Sequence, residues 1–136
     1  MEIMHGKIAG EMRKEYLCKA NIRMRDSTMA KIIYNKYVPF GGFLAINLFG
    51  IIFAKRKLNK VDVNHELIHS AQIRELLYVP FYVVYFAEWI YKSIRYKSFL
   101  EGYRNISFER EAYRNQHDLR YLKKRKRFAS IKYLKK

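Results

Sequence analysis

The spacing of apolar positions changes character twice along the chain. Up to about residue 30 the sequence is polar and mixed in charge. Only Met12, Tyr16, Leu17 and Ala20 recur at weak helical spacing, so a short helix and a turn near Asp26-Ser27 are expected. From Lys31 the pattern becomes β-like: Ile32, Ile33, Tyr34 and Tyr37-Val38 predict a first strand. After Pro39 and Gly41-Gly42, Phe43 to Phe49 and Ile51 to Ala54 predict two more around Gly50. Tyr37 to Ala54 carries no charge, but its glycines, its proline and Asn47 favour buried strands over a membrane span.

Helical spacing then takes over. Asp62 or Asn64 can cap a helix that begins at Val63 or His65 and runs to about Tyr78, where Pro80 interrupts or restarts it. Leu76 to Ile94 is strongly apolar and aromatic, with Glu88 as its only charge before Lys92. A buried helix and a membrane-dipping helix both fit it, and Lys92, Arg95 and Lys97 would suit a cytoplasmic membrane edge. Gly102 separates it from a last helix, Ser107 to about Leu122, with Ser107 as N-cap and Phe108, Ala112, Leu119 and Leu122 as its apolar stripe. The pattern predicts an α+β fold, mainly helical, with a short β-hairpin or sheet ahead of the helix at His65. Residues 1–136 read as one domain, with 1–30 as an N-terminal extension and 123–136 as a basic C-terminal tail.

Composition narrows the partners. In 136 residues, Lys and Arg outnumber Asp and Glu by 28 to 12, a formal net charge of +16. Such a field attracts nucleic acid, acidic lipid headgroups or acidic polypeptides without choosing among them. The single cysteine, Cys18, excludes an intrachain disulfide and a cysteine-built metal site, and reads as a small buried residue. Met1 to Gly10 lacks the apolar core of a signal peptide, so the cytoplasm or the cytoplasmic face of a membrane is the expected location.

The chemistry-bearing motif is His65-Glu66-Leu67-Ile68-His69. Residues four apart on a helix sit one above the other, so both imidazoles can converge on one metal ion. Glu66, beside that face, can reach a metal-bound water without binding the metal itself. Zinc lowers the pKa of such a water to about 7, and a carboxylate can then take its proton as it attacks a carbonyl. A tetrahedral catalytic Zn2+ needs a third protein ligand. Glu109 is the favoured one, since the small Ala112 three residues on would let the two helices approach closely. Glu111, nearly opposite on the same helix, and Glu88 are its rivals. Gln72 reads as an exposed helix amide, with a hydrogen bond behind the ligands as the alternative. Tyr103 and Tyr113 read first as packing and second as donors to an oxyanion; His5 and His117 read as surface residues.

Together, His65-Glu66-Leu67-Ile68-His69, the aromatic apolar stretch after it, and Phe108-Glu109-Arg110-Glu111-Ala112-Tyr113 resemble the layout of membrane-associated gluzincin metallopeptidases. The likeness is to the CAAX-protease/HtpX type and the BlaR-like antibiotic-sensor type. It spans roughly Tyr37 to Leu122, and in size the chain is similar to small bacterial HExxH proteins. The resemblance implies a small zincin-like domain and a third ligand on a later helix, matched by Glu109 with Ala112. It also implies an Asp four residues past that ligand, where this sequence has Tyr113. In such enzymes the strand before the motif helix binds extended substrate by strand addition, a part that falls to Ala45 to Phe53, with a plain core strand as the alternative.

Three functions follow as expectations. The first is a zinc-dependent peptidase-like hydrolase acting on polypeptide, with Glu66 as general base and His65, His69 and Glu109 as ligands. The second is a basic module binding nucleic acid or an anionic membrane surface through Arg120 to Arg127; nucleic acid is the weaker partner, since no recognition motif accompanies the charge. The third keeps the zinc without the catalysis.

Overall fold

The computed structural model describes residues 31–37 and 43–134. The expected N-terminal helix, the turn at Asp26-Ser27, His5, Cys18, and Val38 with the Pro39 and Gly41-Gly42 that follow lie outside them. The chain forms two compact units, one ending at Lys57 and the other beginning at Leu58. Its class is α+β.

The first unit holds a three-stranded sheet of order β1-β3-β2: β1 (Lys31–Tyr34), β2 (Ala45–Leu48) and β3 (Ile51–Ala54). β1 stops at Tyr34, short of the expected Tyr37. The Asn35 side chain accepts the Tyr37 N–H at 2.8 Å and turns the chain away. β2 and β3 form an antiparallel hairpin, Ala45 opposite Ala54 and Leu48 opposite Ile51. Its two-residue turn, Phe49-Gly50, has φ of 52° and 83°, the positive pair that matches the twist of the strands. β1 adds to β3 in parallel, Lys31 beside Ile51. The single stretch Ala45 to Phe53 is therefore two strands, and β3 is flanked on both sides. Ile32, Ile52 and Ala54 are buried.

The second unit opens with α1 (Lys60–Glu75), which starts earlier than Asp62 or Asn64 would have capped it. Asn59 is the N-cap: its side chain accepts from the Val61 and Asp62 amides, both at 2.8 Å, and Asp62 reaches back to the Asn59 amide. The helix ends at Glu75 rather than Tyr78, and a turn with positive φ at Leu77 and Tyr78 leads into α2 (Val79–Tyr96), with Pro80 in its first turn. Every residue of α1 from Val63 to Ser70 is buried, so its polar side chains must find partners inside.

α3 (Phe99–Arg104) folds back on α2. Gly102 sits within it and does not serve as a separator. A Cβ there would stand 2.6 Å from the Ser93 backbone, so the two helices approach at that point only because none is present. α4 (Ser107–Asn115) follows. Its N-cap is Ile106; Ser107 is its first residue, and the amide and hydroxyl of Ser107 donate to the two oxygens of Glu88 at 2.9 and 2.6 Å. The expected run to Leu122 breaks at Asn115. There Asn64 of α1 donates to the carbonyls of Gln116 and Asp118 at 2.8 and 3.1 Å, capping the helix end from outside. Leu119 is consequently exposed. A short α5 (Tyr121–Lys124) and a 3-10 turn, Ala129–Tyr133, close the unit against α4, with Arg110 donating to the Tyr133 carbonyl. Ile73, Phe81, Ile106 and Phe108 form the core that joins α1, α2 and α4.

Gly102→Ala is expected to destabilise the second unit by about 1–3 kcal/mol, as overpacking against backbone does. Chemical denaturation of the variant beside the parent measures it, and an unchanged midpoint would refute the close approach.

Candidate metal centre

α1 projects His65 and His69 to one side, one turn apart, and α4 brings Glu109 to meet them. The Nε2 atoms of the two histidines are 3.1 Å apart. Glu109 Oε1 is 3.3 Å from His69 Nε2, and its Oε2 is 3.6 Å from His65 Nε2. All three residues are buried. Four ligands at the 2.0–2.2 Å bond lengths of a tetrahedral site stand about 3.3–3.6 Å from one another. The observed separations are close to those edges, and this buried group can hold a metal ion.

The far side of each imidazole is held by a glutamine. Gln72 Nε2 donates to the Phe108 carbonyl at 3.1 Å and to Glu111 Oε2 at 3.0 Å. Both are acceptors, so Gln72 Oε1 must be the atom that meets His69 Nδ1 at 2.8 Å, and the ring donates there. Gln116 Oε1 meets His65 Nδ1 at 3.0 Å in the same way. Protons on both Nδ1 atoms leave two Nε2 lone pairs facing each other, an arrangement that only a cation or a proton between them makes stable. Glu109 is oriented from a third side, by the Tyr85 hydroxyl donating to Oε1 at 2.8 Å. Its Oε2 is buried and accepts no hydrogen bond among the described residues, which leaves a lone pair for a cation.

Without metal, a proton does that work. Burial acts to lower the His69 pKa, but the charge and hydrogen bond of Glu109, with Glu66 and Gln72 behind them, carry it up to about 9. Burial would raise Glu109, yet the His69 charge and the close approach of both imidazoles hold it well below the usual carboxylate range. Glu66 is different. Burial raises its carboxyl above the ordinary value, against the pull of His69 and His65. Burial and the Glu109 charge also raise the hydroxyls of Tyr85 and Tyr103, so both remain neutral donors.

The rival carboxylates have other work. Glu88 is taken by Ser107 at the start of α4. Glu111, fully buried, accepts from Gln72, Tyr121 and Arg125, and Arg125 also grips Glu75 with Nη1 and Nη2. Arg125 thus leaves the basic run and enters the interior, its side chain 4% exposed. Gln72, expected as an exposed amide, is fully buried. Tyr113 lays its ring edge on His65 at 4.7 Å while remaining half exposed, and hydrogen-bonds Tyr103. His117 is exposed, as expected.

Gln116 and Tyr85 did not stand out in the sequence. Gln116 had a signal: it lies seven residues past Glu109 and four past Ala112, on one face of a continued helix. For Tyr85 the signal was a hydroxyl on the same face as Phe81 and Glu88 of an otherwise apolar helix. No protein family, curated protein or solved structure matches the chain.

Two outcomes follow. Gln72→Leu removes the acceptor behind His69 and should weaken metal binding about 10- to 100-fold, measured by competition with a chelator of known affinity. Metal loading near pH 7 should release about one proton, because His69 is protonated below about 9 in the metal-free site. Calorimetry in buffers of different ionisation enthalpy reads that proton. The same linkage sets the stability of the metal-free protein. The raised His69 adds stability that is complete below 6.5 and lost as pH rises through about 9; the depressed Glu109 adds stability present above 4.5 and lost in acid.

Proposed function

We propose that the protein is a zinc-dependent, peptidase-like hydrolase, with His65, His69 and Glu109 as ligands and Glu66 as general base. The observation that carries this reading is the convergence of both imidazole Nε2 atoms and the Glu109 carboxylate at tetrahedral-edge separations. Two nitrogen donors and one carboxylate, without cysteine, make a set that suits zinc among the common divalent ions. Zinc bound there would supply the Lewis acidity that the reaction needs.

The chain's own residues supply the rest. Glu66 feels the charges of His69, His65 and Glu109, so its carboxylate lies within electrostatic reach of all three ligands. Its raised pKa makes it a stronger base than an ordinary glutamate, the property required of a group that takes a proton from an attacking water. Gln72 and Gln116 fix the ligand rings with neutral carbonyl oxygens in place of the expected aspartate, leaving the centre one negative charge poorer. Tyr113 is partly exposed beside His65, and a neutral phenol there suits donation to a carbonyl oxygen as it gains charge. Extended polypeptide is the substrate class.

A second reading, a zinc that only pins α1 to α4, is favoured by one observation: Glu66 is itself 7% exposed. One experiment separates the two. Purified protein is expected to carry one zinc per chain by elemental analysis and to cleave a labelled unstructured polypeptide. Glu66→Gln should keep the zinc and lose activity by about 100-fold or more. Zinc in both proteins with turnover in neither would establish the pinning role; equal turnover in both would refute Glu66 as base.

A further inference from the structure

α2 is built the wrong way round for a surface helix. Its polar groups face inward: Tyr85 binds Glu109, Glu88 binds Ser107, and Lys92 and Ser93 are buried. Its outward face is apolar. Val79, Val83, Phe86, Ile90 and Ile94 recur at steps of four, three, four and four, one continuous stripe, and Val83, Ile90 and Ile94 are 64%, 60% and 73% exposed. Leu77 extends the stripe at one end, and Phe99 and Leu100 of α3 extend it at the other. Trp89, Ile90, Ile94 and Phe99 line an open groove there, with Lys97 beside them. From Leu77 to Ile94 the exposed face of the helix carries no charge. Apolar surface of this extent marks a docking site.

The charge around it selects the occupant. Arg74 precedes the stripe, and Arg95, Lys97 and Arg104 follow it, all exposed. The exposed Tyr91 and partly exposed Tyr78 and Tyr96 are of the kind that settle at the boundary between headgroups and acyl chains. A second copy would bring another +16 toward the same basic rim, and like charges oppose that pairing. Among the described residues no helix is long and apolar enough to cross a membrane, so a bilayer would be met along the helix and not through it. We propose that α2 and the start of α3 form a docking face for an anionic lipid bilayer. The helix lies in the plane of the interface, its apolar stripe among the acyl chains and Arg74, Arg95, Lys97 and Arg104 on the phosphates. This inference goes beyond the hydrolase reading and does not depend on it, since no metal-site residue takes part.

Trp89 is the only tryptophan and lines the groove, so it reports docking directly. The full chain is mixed with vesicles of phosphatidylglycerol and phosphatidylcholine, or of phosphatidylcholine alone, and both flotation and Trp89 emission are read. The anionic vesicles should carry the protein, with a blue shift, and rising salt should release it. Val83→Glu with Ile90→Glu should weaken binding at least tenfold while helix content and metal content stay at the parent's level. Arg95→Glu with Lys97→Glu should weaken it by at least tenfold on the anionic vesicles, since each basic residue near such a surface is worth roughly fivefold. Failure to float with anionic vesicles at low salt would overturn the proposal, as would equal binding to neutral ones. So would parent-like binding by the doubly substituted stripe, or a dimer at sedimentation equilibrium that the stripe substitutions dissolve, which would give the face to a second copy.

Discussion

A nine-residue helix that buries two carboxylates, Glu109 and Glu111, poses the problem that the second unit is built to solve. An uncompensated carboxylate in the interior costs several kcal/mol, so each must find positive charge and hydrogen bonds from other elements. The two point in different directions and are answered separately. Glu109 meets the histidines of α1 and the Tyr85 hydroxyl of α2. Glu111 meets Arg125, Tyr121 and Gln72. Three segments distant in sequence are thereby tied to one short helix.

Gln72 joins the two solutions. One end of its amide serves Glu111 and the Phe108 carbonyl, and the other fixes the His69 ring. The ion pair that anchors the C-terminal segment and the imidazole that can bind a metal therefore share one side chain. A similar economy runs along α2. Turning Tyr85 and Glu88 inward supports the candidate metal centre and the start of α4, and it leaves the apolar side of the helix facing out. The buried chemistry and the exposed stripe are two faces of one helix.

Legibility differed by the range of the interaction. The helix that carries His65 and His69 and the β-hairpin were readable because each rests on local spacing: two histidines four apart, and apolar runs on either side of Gly50. The boundaries were less readable. Asn64, which looked like an N-cap, serves the far end of another helix, and Ser107 gave its hydroxyl to Glu88 instead of capping α4. Each of these side chains has the right chemistry for a local role and was claimed by a partner on another element, 52 residues away for Asn64 and 19 for Ser107.

The sequence alone determined which groups are able to bind a cation and that two of them lie on one helical face, because helix geometry repeats every 3.6 residues whatever surrounds it. Only the tertiary structure decided which of three glutamates turns to that face, which glutamines hold the rings, and that Arg125 belongs to the interior. Those choices are made by burial: a charged or amide group removed from water must be satisfied by whatever the packing of other helices brings within 3 Å, and no local pattern encodes that.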